Sequence, residues 1–256
     1  MKLKILKSVT VITPTVGSAK LQDAVQSILN QTYEGVKHLV VSDGPEHFDS
    51  VIDNVIEAID SRKDRKPEDY RKVITTVTPW NTGANGFNGQ RIYAAYPHLV
   101  NSDYVFFLDE DNWYQDNHVE TLIDLIESEG LDWAHSFRSA YSLDKKFVAE
   151  DNCESLGKWP IYFTHDNPQY LVDTSSFAFT RNFIKQTCHL WHSGPWGEDR
   201  RYFYAIKDRS KWNTTCKHTL CYRLDGNPKS VNKEFFDNGN KIQLENYKGN
   251  LPWKNT

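Results

Sequence analysis

The sequence predicts an α/β fold built on a mostly parallel central sheet flanked by helices, with an irregular second half. Three observations carry that prediction. Short β-branched or aromatic runs alternate with amphipathic segments through the first half of the 256 residues. Repeated strand–helix units of this kind make a largely parallel sheet covered on both faces. The run Tyr104-Val105-Phe106-Phe107-Leu108 is apolar enough to be a buried strand, and short polar motifs close several such runs.

The elements follow in order. Ser8 to Thr13 reads as the first strand, broken by Thr13-Pro14-Thr15. Leu21, Ala24, Val25, Ile28 and Leu29 share one helical face. His38 to Ser42 is a second strand, closed by Asp43-Gly44-Pro45. Phe48, Val51, Ile52, Val55, Ile56 and Ile59 form another amphipathic helix, and the basic cluster after it, Arg62 to Lys66, reads as a helix end. Val73 to Val77 is a third strand. The glycine-rich loop Asn81 to Gly89 then leads to a helix carrying Ile92, Ala95, Tyr96 and Leu99. The strand ending at Leu108 precedes a helix with Val119, Leu122, Ile123 and Ile126. Beyond it, Asp132 to Ser142 and Ser175 to Thr180 read as strands, separated by loops around Trp159-Pro160, Asn167-Pro168 and Ser193-Gly194-Pro195.

Composition narrows the function classes. A net charge of −4 offers no bulk attraction to nucleic acid. No stretch is apolar for long enough to span a bilayer, and the Lys-rich start lacks a signal-peptide core, so the expected compartment is the cytoplasm. Cys153, Cys188, Cys216 and Cys221 form no C-x-x-C pair, which points to reduced structural thiols.

Asp109-Glu110-Asp111 follows the buried run directly. Three carboxylates there repel one another unless something positive sits among them. On an extended chain Asp109 and Asp111 point one way and Glu110 the other. Two hard oxygen ligands suit Mg²⁺ or Mn²⁺ shared with a phosphate-bearing ligand, although acidic residues also end strands simply because loops are wet. In parallel sheets ligands bind outside the carboxyl ends of the strands, where Thr13-Pro14-Thr15, Asp43-Gly44, the glycine loop and the triplet all fall. The loop is neither G-x-G-x-x-G nor a P-loop. Glu198-Asp199 opens a helix that includes Tyr202, Phe203 and Ile206. Trp159, Trp191, Trp196 and Trp212 are candidates for stacking on a sugar, against the commoner role of core residues.

The order Thr13-Pro14-Thr15, Asp43-Gly44, Asn81-x-Gly83, Asp109-Glu110-Asp111, Glu198-Asp199 resembles the family 2 glycosyltransferases of the GT-A fold. The resemblance implies one GT-A-like domain over residues 1–256, with a nucleotide-sugar-binding half, 1–112, and an acceptor-binding half, 113–256. It implies a metal-dependent, inverting hexosyltransferase using a nucleoside-diphosphate sugar, a UDP-sugar being favoured over a GDP-sugar, and a carbohydrate or other hydroxyl acceptor. Asp109 and Asp111 would be the D-x-D metal residues for Mn²⁺ or Mg²⁺, with Asp111 the direct ligand. Thr13, Pro14, Thr15, Asp43, Asn81, Gly83, Asn88, Arg91, Glu110 and Arg223 would bind the nucleotide sugar. Asp199 would be the catalytic base, with Trp196 and Glu198 beside the acceptor. Asn88 stands where the family often has an arginine, and Arg91 comes one turn later. Asp225 stands where a histidine often follows the Tyr-Arg pair, so that Asp225 offers oxygen to the metal, His218 supplies the role, or the role is lost. Two alternatives stay open: a nucleotidyltransferase acting on a sugar phosphate, and an inactive carbohydrate-binding relative.

Overall fold

The computed structural model describes residues 6–192, 194, 197–224 and 230–254. Its strands are β1 (Val9–Thr15), β2 (Val36–Ser42), β3 (Val73–Val77), β4 (Tyr104–Phe107), β5 (Trp113–Tyr114), β6 (Trp133–Tyr141), β7 (Phe147–Glu150), β8 (Phe177–Thr180) and β9 (Trp212–Arg223). Its helices are α1 (Leu21–Leu29), α2 (Phe48–Asp60), α3 (Asp69–Lys72), α4 (Gln90–Ala95), α5 (His118–Glu129), α6 (Arg181–Thr187), α7 (Glu198–Ile206) and α8 (Lys233–Asn246).

Among the described residues the strands form one sheet in the order β3-β2-β1-β4-β8-β6-β9-β5, with β7 added beside β6. The first four are parallel. Beyond β4 the sheet is mixed: β8 runs antiparallel to both β4 and β6, and β9 runs parallel to β6. Alternation places successive strand residues on opposite faces, and both faces are covered. Ile12, Val105 and Phe107 pack with Tyr93, Trp191 and Phe203 on one side. Val11, Phe106 and Leu108 pack with Ile28, Val119 and Leu122 on the other. Helix α2 closes a third cluster through Val51, Val55 and Ile59.

Two boundaries differ from the sequence reading in ways that shape the site. Strand β1 runs through Pro14 to Thr15 instead of breaking there. Its pairing with β4 ends at Ile12, so one edge of β1 is free where proline removes a donor. Strand β4 ends at Phe107, and the acidic triplet lies in the following loop, so extended-chain alternation does not govern it. The basic cluster folds back on its helix: Arg62 reaches Asn30 and Asp69, and Arg65 pairs with Asp60. The four cysteines are free thiols. No helix among the described residues is long and apolar enough to cross a membrane.

Candidate functional site

A cavity of about 690 Å³ opens at the carboxyl ends of the first four strands and extends toward the end of β9. It gathers residues far apart in sequence: Thr15 and Asp43, the acidic triplet, and Glu198 with Asp199.

The glycine loop is held by Asp43. The carboxylate accepts from Thr82 N at 2.6 Å, Thr82 Oγ1 at 2.8 Å and Gly83 N at 2.7 Å. Gly83 has no room for a side chain, because a Cβ would sit 2.4 Å from the Asn88 carbonyl and 2.7 Å from Asp43 Oδ2. Asn81, Gly83 and Asn88 therefore line the cavity as a backbone ledge. Two residues expected here lie elsewhere. Thr13 is fully buried and bonded to His38 Nε2 at 2.8 Å. Arg91 donates to the Thr82 carbonyl and covers the Phe87 ring, outside the cavity lining.

The triplet is tethered from three directions. Asp109 accepts from Tyr93 Oη at 2.8 Å and Ser175 Oγ at 3.1 Å, and its own N–H donates to Ser175 Oγ at 3.0 Å. Glu110 accepts from Thr15 Oγ1 and from Ser18 N at 3.3 Å. All three carboxylate residues line the same cavity, so Glu110 does not face away as extended geometry predicted. Arg223 holds the loop from behind. Its Nε donates to the Asp111 carbonyl at 2.9 Å, its Nη1 to the Leu143 carbonyl and its Nη2 to Asp23. Arg223 borders the cavity and commits three of its five N–H groups to this bracing, with one further N–H on each of Nη1 and Nη2.

Burial, with the charges of Asp173 and Asp111, pushes the Asp109 carboxyl up to about 7. Among the described residues no three His, Cys, Asp or Glu side chains form a metal cage.

Helix α7 starts after Gly197, whose φ of 70° is left-handed. This turn sets Glu198 and Asp199 at the cavity wall. Glu198 is tied to Arg201 at 2.9 Å. Asp199 accepts from the Arg200 N–H at 2.7 Å, and burial plus the charge of Asp173 push its carboxyl up to about 6. Arg200 also lines the cavity, and its buried Nε has no hydrogen-bond partner among the described residues. Trp196 and Asp225 lie outside the described residues. His218 is not in the cavity lining; it packs on Phe137 and contacts the Asp151 carbonyl. Trp212 stacks on Trp133 and Trp159 packs on Trp253, both as core residues, whereas Trp191 reaches the cavity.

Sequence reasoning passed over the floor of the cavity. Arg138, on β6, donates from Nε to Asp151 at 2.8 Å, from Nη1 to Asp173 at 2.6 Å and from Nη2 to Glu154. Its guanidinium lies 4.4 Å from the Tyr222 ring centre. Asp173 accepts in turn from Ser175 N at 2.9 Å, and Ser175 bonds Asp109, so Arg138 is linked to the triplet. The one available signal was a single arginine inside the strand Trp133–Tyr141, buried at every position but the last.

Comparison with known proteins follows this geometry. A family model described as glycosyl transferase family 2 matches residues 10–187. No curated relative matches the sequence. Among solved structures, S. aureus TarS 1-349 in complex with UDP superposes with a TM-score of 0.58 at 13% identity, covering 93% of this chain and 64% of that one. The complex of S. aureus TarS 1-349 with UDP-GlcNAc gives 0.57 at 12% identity, covering 93% and 66%. S. aureus TarS itself gives 0.58 at 11%, with 94% of this chain and 43% of that one covered. The chain thus spans under two thirds of each TarS structure, and the likeness concerns the fold.

Proposed function

Because the chain belongs to glycosyl transferase family 2 and carries the GT-A-like fold, we propose that it moves a sugar from a UDP-sugar to an acceptor hydroxyl, with inversion and with help from Mn²⁺ or Mg²⁺. The observation that carries this reading is that one cavity is lined by the triplet, by Asp199 and by the glycine loop. The preference for uridine rests on the UDP and UDP-GlcNAc complexes of the TarS fold neighbours.

In this reading Asp43, Asn81 and Gly83 seat the nucleoside, and Arg200, whose buried Nε has no partner among the described residues, takes a phosphate contact. Asp109 and Asp111 hold the cation, which supplies Lewis-acid neutralisation of the diphosphate when bound. Tyr93, Ser175 and Arg223 fix those two residues in place. Asp199 accepts the proton of the acceptor hydroxyl as that oxygen bonds to the anomeric carbon. The bond from that carbon to the phosphate oxygen breaks, and its electron pair leaves with the nucleoside diphosphate.

Thermal unfolding tests the donor assignment. UDP with Mn²⁺ is expected to raise Tm through preferential binding to the folded state, and GDP to raise it less. A larger shift with GDP, or no shift with either nucleotide, counts against the assignment.

A further inference from the structure

We propose that Glu154 is the residue that binds a hydroxyl of the acceptor sugar, that Arg138 positions it, and that the acceptor is an uncharged sugar. The inference rests on the transferase reading above and deepens it at the acceptor end.

The three carboxylates on Arg138 are not equivalent. Asp151 is locked: besides Arg138, it accepts from the backbone N–H groups of Cys153 at 3.0 Å, Glu154 at 2.8 Å and Ser155 at 3.0 Å, and it is absent from the cavity lining. Asp173 faces the cavity but is pinned by Ser175 N at 2.9 Å. Glu154 also faces the cavity, and Arg138 is its side chain's hydrogen-bond partner, through Oε2 alone. Its Oε1 makes no hydrogen bond among the described residues. A buried carboxylate braced on one oxygen and open on the other is set to accept from a ligand O–H.

Its position assigns it to the acceptor. Asp199, the proposed base for the acceptor hydroxyl, lies close enough for its charge to act on Glu154, and both line the cavity. Leu171 and Tyr222 add apolar surface beside them, and apolar faces next to hydroxyl-binding carboxylates suit a sugar ring.

Charge sets the class of sugar. Glu154, Asp173 and Asp199 line the cavity here with Arg138 and Arg200, and Asp151 sits behind Arg138, so acidic side chains outnumber basic ones. A carboxylate or phosphate on the acceptor would meet like charge in a poorly hydrated place, which disfavours it.

The test uses the whole chain with UDP-GlcNAc, Mn²⁺ and two probe acceptors, a methyl hexoside and the corresponding methyl hexuronide. The wild type is expected to prefer the hexoside. Glu154→Gln is expected to raise KM for the hexoside about tenfold, with a smaller change in kcat, and to narrow its advantage over the hexuronide. Glu154→Ala should raise that KM further. An unchanged KM with a lowered Tm would make Glu154 a structural residue and overturn the inference. Nucleotide release without transfer to either probe would overturn the sugar-acceptor assignment and leave the donor reading standing. Absence of nucleotide release from the wild type with UDP-GlcNAc and every other UDP-sugar tried would overturn the transferase reading itself.

Discussion

Asp199→Asn is expected to lower kcat for sugar transfer by about 10²- to 10⁴-fold, the range that a positioned general base supplies. Asparagine keeps the shape and can still accept from the Arg200 N–H, so the start of α7 is preserved. What disappears is the proton acceptor. Donor affinity should stay within about twofold, because the nucleoside end of the cavity is built from Asp43, Asn81 and Gly83. The wild-type pH profile follows from the same residue. Burial holds the Asp199 carboxyl up at about 6, and the base works only when deprotonated. Activity is therefore expected to fall as pH drops through about 6 and to level off above it. Steady-state kinetics on both proteins from pH 5 to 8 measure this. A variant that keeps more than a tenth of wild-type turnover would remove Asp199 from the role.

Arg138→Met is expected to destabilise the fold by about 3–5 kcal/mol, the usual cost of removing one partner from a buried ion pair. Methionine replaces the volume but leaves Asp151, Glu154 and Asp173 facing one another without a counter-charge. In the wild type, burial works to raise the Asp151 carboxyl, but Arg138 and three backbone N–H groups hold it below its ordinary value. In the variant, burial and mutual repulsion raise the folded pKa of this group of carboxylates above the unfolded value of about 4. Protonation then favours the folded state, so the deficit is smallest near pH 4 and grows as pH rises through the raised values. Thermal melts at pH 5 and pH 8 should show a loss of roughly 10 °C at the higher pH and less at the lower. Equal melting temperatures for variant and wild type at pH 8 would show that the cluster does not depend on Arg138.

The regular half of the fold was legible because its strands are short apolar runs and its helices carry clean apolar stripes. Val73–Val77 was read to the residue, and Glu198–Ile206 was recognised from Tyr202, Phe203 and Ile206. Strand β9 was not legible. Its sequence from Trp212 to Arg223 mixes polar and apolar residues, its pairing with β6 shifts register beside Phe137, and Cys216 adopts a φ of 54° within it. Such a strand shows no period of two.

The site divides the same way. Residues in motifs at strand ends were found, since polar groups stand out after an apolar run, and most of them meet in one cavity. Thr13 and Arg91 were misplaced because sequence order does not show which way a side chain turns at a strand end. Arg138, Glu154 and Asp173 were passed over because they come together only through the irregular chain between β7 and β8. Arg223 was found, and the structure adds that it braces Asp111 from the cavity wall.

The most direct test of the central claim is the initial rate of UDP release from UDP-sugars with Mn²⁺ and after chelation. The account predicts release with metal present, stopped by chelation and by Asp111→Asn. No release from any UDP-sugar with metal present, or a full rate after chelation, would contradict it.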